Sequence, residues 1–513
     1  MKRYILLPIL AVSFAVQAQD TYMNERLTNN SSDVIGTARY VGMGGALGAL
    51  GADMSVISWN PAGIGLFRKN DIALTFGGTW GRSSIAEENR GTGTFDQAGF
   101  VYNIKLDSET CPYINFSFNF QKKINFNQNF YADNNFLGGL SQMDQLAQLT
   151  EYYQVEPDPR NLVESALANN AGGFFFDETD FSNQFRSTSN TYTHHSEGSL
   201  QAFDFNLSTN INNRAFLGLT VGVDNMRYRG WNNYTETGGD YGLYDYGINI
   251  HGTGVNVKLG AIVRPIADSP FRIGFTVETP TWYRLSRSSY FYFYDENIST
   301  NEYGSHFKFN VRSPWKVRAS IGSTVGSFLA WDVDYEYGAY AGTSMGYPDV
   351  YYDDGSTSGN IKDVAMNQQT RDNLRGTHTL RAGIEVKPTK ALAFRVGYNL
   401  STSAYNKNIS FDQYNLDSSA MNYSTSTSYM RMGTTNILTL GMGYQIKNFY
   451  IDLAYKIRSQ NADFYAFDTS FTNAVTGDPV FLNYNPTLAN RTIAPVDVDL
   501  TRHAVTCTLG FKF

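Results

Sequence analysis

Residues 114–121 read INFSFNFQ. Ile114, Phe116, Phe118 and Phe120 alternate with Asn115, Ser117, Asn119 and Gln121. Alternation over this length places the apolar side chains on one face of an extended strand and the polar ones on the other. The same period precedes it at Ile72/Leu74/Phe76 and Phe100/Tyr102/Ile104/Leu106. It returns at Phe203/Phe205/Leu207, Leu217/Leu219/Val221/Val223, Val255–Val263, Phe271–Val277, Trp315–Ile321 and Leu329–Tyr335. Leu380–Val386, Leu392–Tyr398, Leu438–Tyr444, Phe449–Tyr455 and Val505–Phe513 complete the series. The reading is all-β, with about fourteen strands, an even number of the kind bacterial transmembrane barrels use.

The connections carry the topology. Brief links at 107–112, 210–214, 264–270, 323–326, 387–390 and 447–448 alternate with long polar ones near 81–97, 124–198, 227–252, 281–305, 339–376, 401–434 and 459–500. Short turns on one side and long loops on the other are the asymmetry of an outer-membrane barrel, with both termini on the periplasmic side. A soluble sandwich has no reason to keep that order. Composition agrees: Tyr and Phe number 35 each and Gly 46, against 14 Pro and 2 Cys. Mean hydropathy is −0.33, low because only alternate residues of such strands meet lipid. The net charge of −7 argues against a nucleic-acid partner.

Residues 1–18 read as a signal peptide: Lys2 and Arg3, an apolar run from Tyr4 to Val16, and small residues ahead of Gln19. Cys111 falls in a turn and Cys507 on the lipid side of the last strand, so two unpaired thiols are expected. Three parts follow: signal peptide 1–18, an N-terminal segment 19–70, and a barrel 71–513.

Within the second part, residues 36–67 read GTARYVGMGGALGALGADMSVISWNPAGIGLF. Only Arg39 and Asp53 are charged, and small residues cluster at Gly42–Gly45 and Asn60–Gly63. Small residues at this density allow close backbone approach and positive φ but make a poor solvated surface. The segment needs an enclosure, and the barrel supplies one. By strand phase Arg272, Glu278, Lys316, Arg318, Asp332, Asp334, Glu336, Arg381, Glu385, Arg395, Asp452 and Lys456 face inward. Such mixed charges can pair along the wall and hold a plug by hydrogen bonds, or simply solvate the interior. They argue against a pore tuned to one ion sign.

The loop 124–198 carries helical patches. Leu137, Leu140, Met143, Leu146 and Leu149 recur at threes, and Leu162, Val163, Ala166 and Leu167 form a second group. They read either as a mini-core or as an external apolar groove for a greasy ligand.

No catalytic constellation emerges, so a non-enzyme without cofactor or resident metal is expected. Residues 342–346 match G-x-S-x-G, but no helix pattern follows Tyr347-Pro348. Residues 42–51 fail the dinucleotide spacing. His194-His195 and the acidic group Asp349, Asp353 and Asp354 lack a metal-site pattern.

The run Gly42-Met43-Gly44-Gly45-Ala46, then Ala52-Asp53, then Asn60-Pro61-Ala62-Gly63 resembles the N-terminal hatch of the FadL/TodX family of outer-membrane transporters of hydrophobic compounds. Strand count, signal peptide and terminal Phe513 agree, so the resemblance spans the mature chain. It implies a hatch plugging the lumen, with Gly42, Gly44, Gly45, Asp53, Asn60, Pro61, Ala62 and Gly63 at the substrate-facing plug. It also implies an external apolar groove, passive uptake of a fatty-acid-like molecule, and release through a lateral gap. The second acidic residue usual after Asp53 is Met54 here, and Ile114–Phe120 has no Pro or Gly to mark a wall kink. A monomer in contact with outer-membrane lipid is expected. The family's PorV-like members imply an alternative: a barrel that binds partner proteins through its long loops in secretion or surface attachment.

Overall fold

The computed structural model describes residues 33–83, 91–137, 140–141, 187–237, 243–295, 298–348, 359–406, 428–467 and 493–513. The expected signal peptide, Met143, Leu146, Leu149, the patch at 162–167 and Asp349, Asp353 and Asp354 lie outside them.

Fourteen antiparallel strands close into one barrel. They are β1 (Asp71–Ser83), β2 (Thr92–Lys105), β3 (Tyr113–Asn125, resumed at Gln128–Asn134), β4 (Ser189–Ile211) and β5 (Ala215–Thr237). Then come β6 (Leu243–Val263), β7 (Arg272–Glu278 and Trp282–Asp295), β8 (Ile298–Arg312 and Lys316–Val325), β9 (Leu329–Gly338) and β10 (Thr377–Val386). The last are β11 (Leu392–Ser401), β12 (Tyr429–Ile446), β13 (Phe449–Tyr465) and β14 (Val496–Lys512). β14 returns to β1 in register from Asp71↔Lys512 to Ser83↔Leu500, so the sheet has no free edge there. Asn70 and Phe513 exchange both backbone hydrogen bonds at 3.0 Å and fasten the seam.

Two of the expected long loops are largely strand: β5 and β6 run through most of 227–252, and β7 and β8 through most of 281–305. β13 and β14 extend only into the two ends of 459–500. The cause is an inversion of phase. On β5 the outward residues are Leu217, Leu219 and Val221; six residues beyond Val221, outward Arg227 and then Arg229 are exposed while Met226, Tyr228 and Tyr234 are buried inward. The apolar face thus passes from outside to inside midway along one strand, and a search for a single apolar face stops there. The flip also marks the upper rim of the lipid-facing belt, because a charged outward row cannot lie in hydrocarbon without cost.

β7 and β8 are each interrupted at that rim, around Pro280 and Pro314. Proline cannot donate to a ladder, and side-chain help fills in: Thr281 N–H donates to Ser313 Oγ at 2.8 Å. Above the break β8 pairs with the short strand Ser344–Pro348, which in turn pairs with Asn360–Lys362. The helix α1 (Val364–Asn373), capped by Asp363 through the Met366 N–H, follows and buries Met366.

Candidate functional site: the luminal insert and its seat

Residues 33–67 fold inside the barrel as a short helix (Ala38–Gly42) and two 3-10 turns (Met54–Ser58, Pro61–Leu66). Each start is capped by the residue preceding it: Thr37 accepts from Tyr40 N–H, Asp53 from Ser55 N–H, and Asn60 from Ala62 N–H. These caps are joined to one another. Thr37 Oγ1 donates to both Asp53 oxygens at 2.8 and 2.9 Å, and Asn60 Nδ2 donates to the Gly48 carbonyl at 2.8 Å. Val41, Met43, Leu47, Val56, Ile57 and Ile64 form the insert's own apolar core.

The wall holds this insert from many sides. On β9, Asp332 accepts from the Ala49 and Leu50 N–H groups at 3.0 and 2.7 Å, and Asp334 from Leu47 and Gly48 at 3.2 Å each. A helix-poor Gly/Ala turn leaves such amides without partners, and two carboxylates meet four of them. Arg381 on β10 donates to Tyr40 Oη at 2.7 Å and lies 3.6 Å over the Trp59 ring. Arg318 on β8 covers the same ring at 4.5 Å and is itself clamped by Glu278 and Glu336 at 2.5 Å each. Further round the wall Lys456 on β13 donates to Asp33 at 2.6 Å, and Arg395 on β11 joins Glu385 and Asp452 at 2.6 Å each. Asn115 and Asn206 bond the Ile64 and Pro61 carbonyls. The inward charges therefore do more than solvate a channel.

The expected site residues distribute as follows. Gly44 has φ +65° and lies flat on β11, where an added Cβ would come within 2.7 Å of the Tyr398 nitrogen. Gly42 approaches Gly441 on β12, and Gly45 lies under Arg381. Asp53 faces Arg39 at 4.0 Å. Burial pushes the Asp53 carboxyl above its ordinary range, against the pull of Arg39 and Thr37. Asn60 and Pro61 lie against Gly260 and Gly218, Ala62 packs on Phe216 and Ile262, and Gly63 crosses Gly51. Met54, in place of the second acid, is buried with its sulfur 3.8 Å from Gln97 Nε2. At the short-turn end a cavity of about 220 Å³ reaches Arg39, Asp53 and Arg395, so water approaches this part of the seat.

Sequence reading missed the reciprocal half of the fit. Inward-facing wall glycines Gly218, Gly260, Gly274, Gly383, Gly397 and Gly441 leave room where the insert's backbone touches the strands. Glycine at the inward phase of a β-branched and aromatic strand was the available signal.

Above the insert the lining changes. Ile124, Phe126, Leu200, Met226, Tyr228, Ile248, Ile250, Leu285, Phe307 and Phe309 make one inward apolar cluster. A second, nearer the loops, gathers Phe130, Tyr192, Tyr234, Tyr246, Met430 and Phe464. Leu137 and Leu140 belong to this second cluster at 3% and 5% exposure, so they pack inward rather than presenting an open face. His194 is buried there beside Asn232, and His195 points outward against Trp231. Ser344 of the G-x-S-x-G match starts a strand, not a helix.

Among the described residues the wall is discontinuous beside these clusters, on the side of β2 and β3. Pairing of β2 with β3 ends at Gln97↔Gln121, although β2 continues to Thr92 and β3 to Asn125. β3 bulges between Lys122 and Ile124 and bends across the lumen, where Arg502 on β14 donates to the Asn125 and Asn127 carbonyls at 3.0 and 2.6 Å. The irregularity thus lies just beyond Ile114–Phe120, without proline or glycine at the bulge.

No protein-family model matches the chain, and no curated protein matches it. Among solved structures, a Pseudomonas aeruginosa FadL homologue aligns over 93% of this chain and 98% of its own, at 12% identity and a TM-score of 0.52. The chain has the FadL-type fold. The Ralstonia pickettii toluene transporter TbuX aligns over 94% and 99% at 12% identity and a TM-score of 0.47. The Pseudomonas putida toluene transporter TodX gives 93% and 98%, 10% and 0.48. A closed barrel of this fold accounts for the apolar outward belt.

Proposed function

We propose that this FadL-type barrel takes up hydrophobic small molecules passively, and that its cargo is a long apolar compound of the fatty-acid type. The change of lining above the insert carries the reading. A water-filled porin keeps polar inward faces, whereas here the upper interior is apolar and aromatic and ends on a polar, hydrogen-bonded seat. A molecule with a long apolar body suits the first, and an insert locked to the wall suits retention rather than free flow. The unpaired stretch between β2 and β3, beside Phe126 and Leu200, supports lateral exit into the membrane.

The test is uptake in a deletion strain carrying wild type or Ile250→Lys, with labelled long-chain fatty acid, a small aromatic hydrocarbon and a hydrophilic control. Ile250 is 1% exposed within the apolar cluster, and an unpaired ammonium there is costly to bury. Wild type should restore fatty-acid uptake, and folded Ile250→Lys should not. Restoration of hydrocarbon uptake alone would refute the fatty-acid assignment. Normal uptake of every hydrophobic probe in the deletion strain would refute the transport reading.

A further inference from the structure

The outward surface just above the lipid-facing belt is not uniform. On β5–β8 the last apolar row is Val223, Val255 and Trp282, and Arg312 closes it on β8. One step up, Thr253 and Asn310 flank Arg284, and the same row continues through Gly346 to Lys362. The next row places Arg227 beside His251 and, past Ser286, Lys308. Arg227, Arg284, Arg312 and Lys362 are exposed, and none has a side-chain hydrogen bond or ion pair among the described residues. Among the described residues these rows contain no carboxylate, and Glu197 on β4 is occupied by Arg229 at 3.5 Å.

Two contrasts give the patch meaning. The chain as a whole is negative, at −7, so a run of unpaired cations is not the average surface. On β14, above the belt residue Val505, the exposed outward residues include Asp497 and Asp499. The cations are therefore concentrated in one sector. With strands about 4.8 Å apart and about 3.3 Å per residue, the patch is about 24 Å wide from β5 to Lys362 and about 13 Å tall. It borders the hydrocarbon belt directly, at the level where lipid headgroups lie.

We propose that the outer face of β5–β8 binds the headgroup of an anionic outer-leaflet lipid carrying more than one phosphate, with acyl chains on the Val223–Val255–Trp282 row below. Arginine is suited to phosphate because its guanidinium offers two parallel donors. Position decides between lipid and soluble anion: the apolar row continuous with the cations contributes only when the phosphate is attached to a chain. This assignment rests on the membrane placement and is independent of the cargo.

The test uses full-length protein in neutral detergent, titrated with diphosphorylated lipid A, its dephosphorylated form and inorganic pyrophosphate. The variant Arg227→Gln/Arg284→Gln/Arg312→Gln is compared with Lys105→Gln/Lys390→Gln/Lys447→Gln, which removes equal charge at the short-turn end. Each cation near an anionic headgroup is worth about fivefold, so the arginine variant should bind lipid A about a hundredfold more weakly, and the lysine variant like wild type. Heat-modifiable gel migration verifies folding. If the triple variant does not fold, Arg227→Gln and Arg312→Gln singly should each weaken binding about fivefold. Binding by the arginine variants within twofold of wild type would overturn the proposal. So would equal binding of the dephosphorylated lipid, or pyrophosphate competing as well as lipid A, which would assign the patch to free phosphate.

Discussion

Replacing Asp332 by alanine should undock the insert while leaving the barrel closed. Asp332 accepts two buried backbone N–H groups, from Ala49 and Leu50 at 3.0 and 2.7 Å. A hydrogen bond is worth about 0.5–1.5 kcal/mol net, and a buried donor left alone costs about 1–3 kcal/mol. Two donors lose their acceptor together, but water can enter the space vacated and recover part of the loss. About 2–3 kcal/mol on docking is a reasonable expectation, which multiplies the undocked fraction about 30- to 150-fold. Asp332→Asn keeps an acceptor oxygen and should shift the fraction by only about fivefold. The β9 ladder itself is untouched, because its backbone pairs with β8 and β10 whatever the side chain. The assay is conductance of single barrels in planar bilayers, with heat-modifiable migration as the folding control. Wild type should be nearly closed, Asp332→Asn intermediate and Asp332→Ala frequently open. Equal conductance in all three folded proteins would refute the idea that the carboxylate holds the insert.

Gly397→Val should produce the same opening by steric means, since a side chain there overlaps the Gly44 backbone; unchanged conductance with a folded barrel would deny that contact. Asn60→Ala removes the cap on Ala62 N–H and the bond to Gly48, and should raise permeability to small hydrophilic solutes while assembly proceeds. The N-terminal anchor should depend on pH. Burial alone would raise Asp33, but Lys456 and Arg458 beside it overcome that and hold it at about 2, below its ordinary 3.8. A depressed carboxyl contributes stability above the unfolded value that disappears as pH falls through the folded one. Protection of the amides at 33–38, taken relative to the intrinsic exchange rate at each pH, should therefore fall as pH drops from about 4 to about 2, and Lys456→Gln should weaken that dependence.

Strand number and alternation were legible because lipid and luminal faces demand opposite polarity at a period of two, as in Ile114–Gln121. Strand length was not, because past Val223 the same period continues with its sign reversed. Arg227 and Tyr228 look like loop to a rule that seeks one apolar face. The inward charges were also legible from phase, but not their partners. That Asp332 and Asp334 meet the amides of 47–50, and that Arg318 and Arg381 sandwich Trp59, depends on a contact about 280 residues distant in sequence for the first pair. The β3 bulge left no mark of proline or glycine, since Lys122 and Lys123 are drawn to Asp96 on β2 and Asp224 on β5 instead.

The two halves of the interior set opposite conditions for a passing molecule. Going straight down, an apolar chain would have to separate the insert from Asp332, Asp334, Arg318 and Arg381, and each charge stripped of its partner in a buried site costs several kcal/mol. Nothing in a hydrocarbon tail can replace those partners, because it neither donates nor accepts. Sideways, between β2 and β3 above Gln97 and Gln121, no ladder hydrogen bond has to break, and hydrocarbon on the far side matches the apolar cluster within. The polar seat thus acts on the proposed route by exclusion: it makes the axial path expensive for the apolar solutes proposed to enter from above. An insert loosened by Asp332→Ala should accordingly admit hydrophilic solutes and ions without speeding fatty-acid uptake. Faster fatty-acid entry in that variant would place the route through the insert after all.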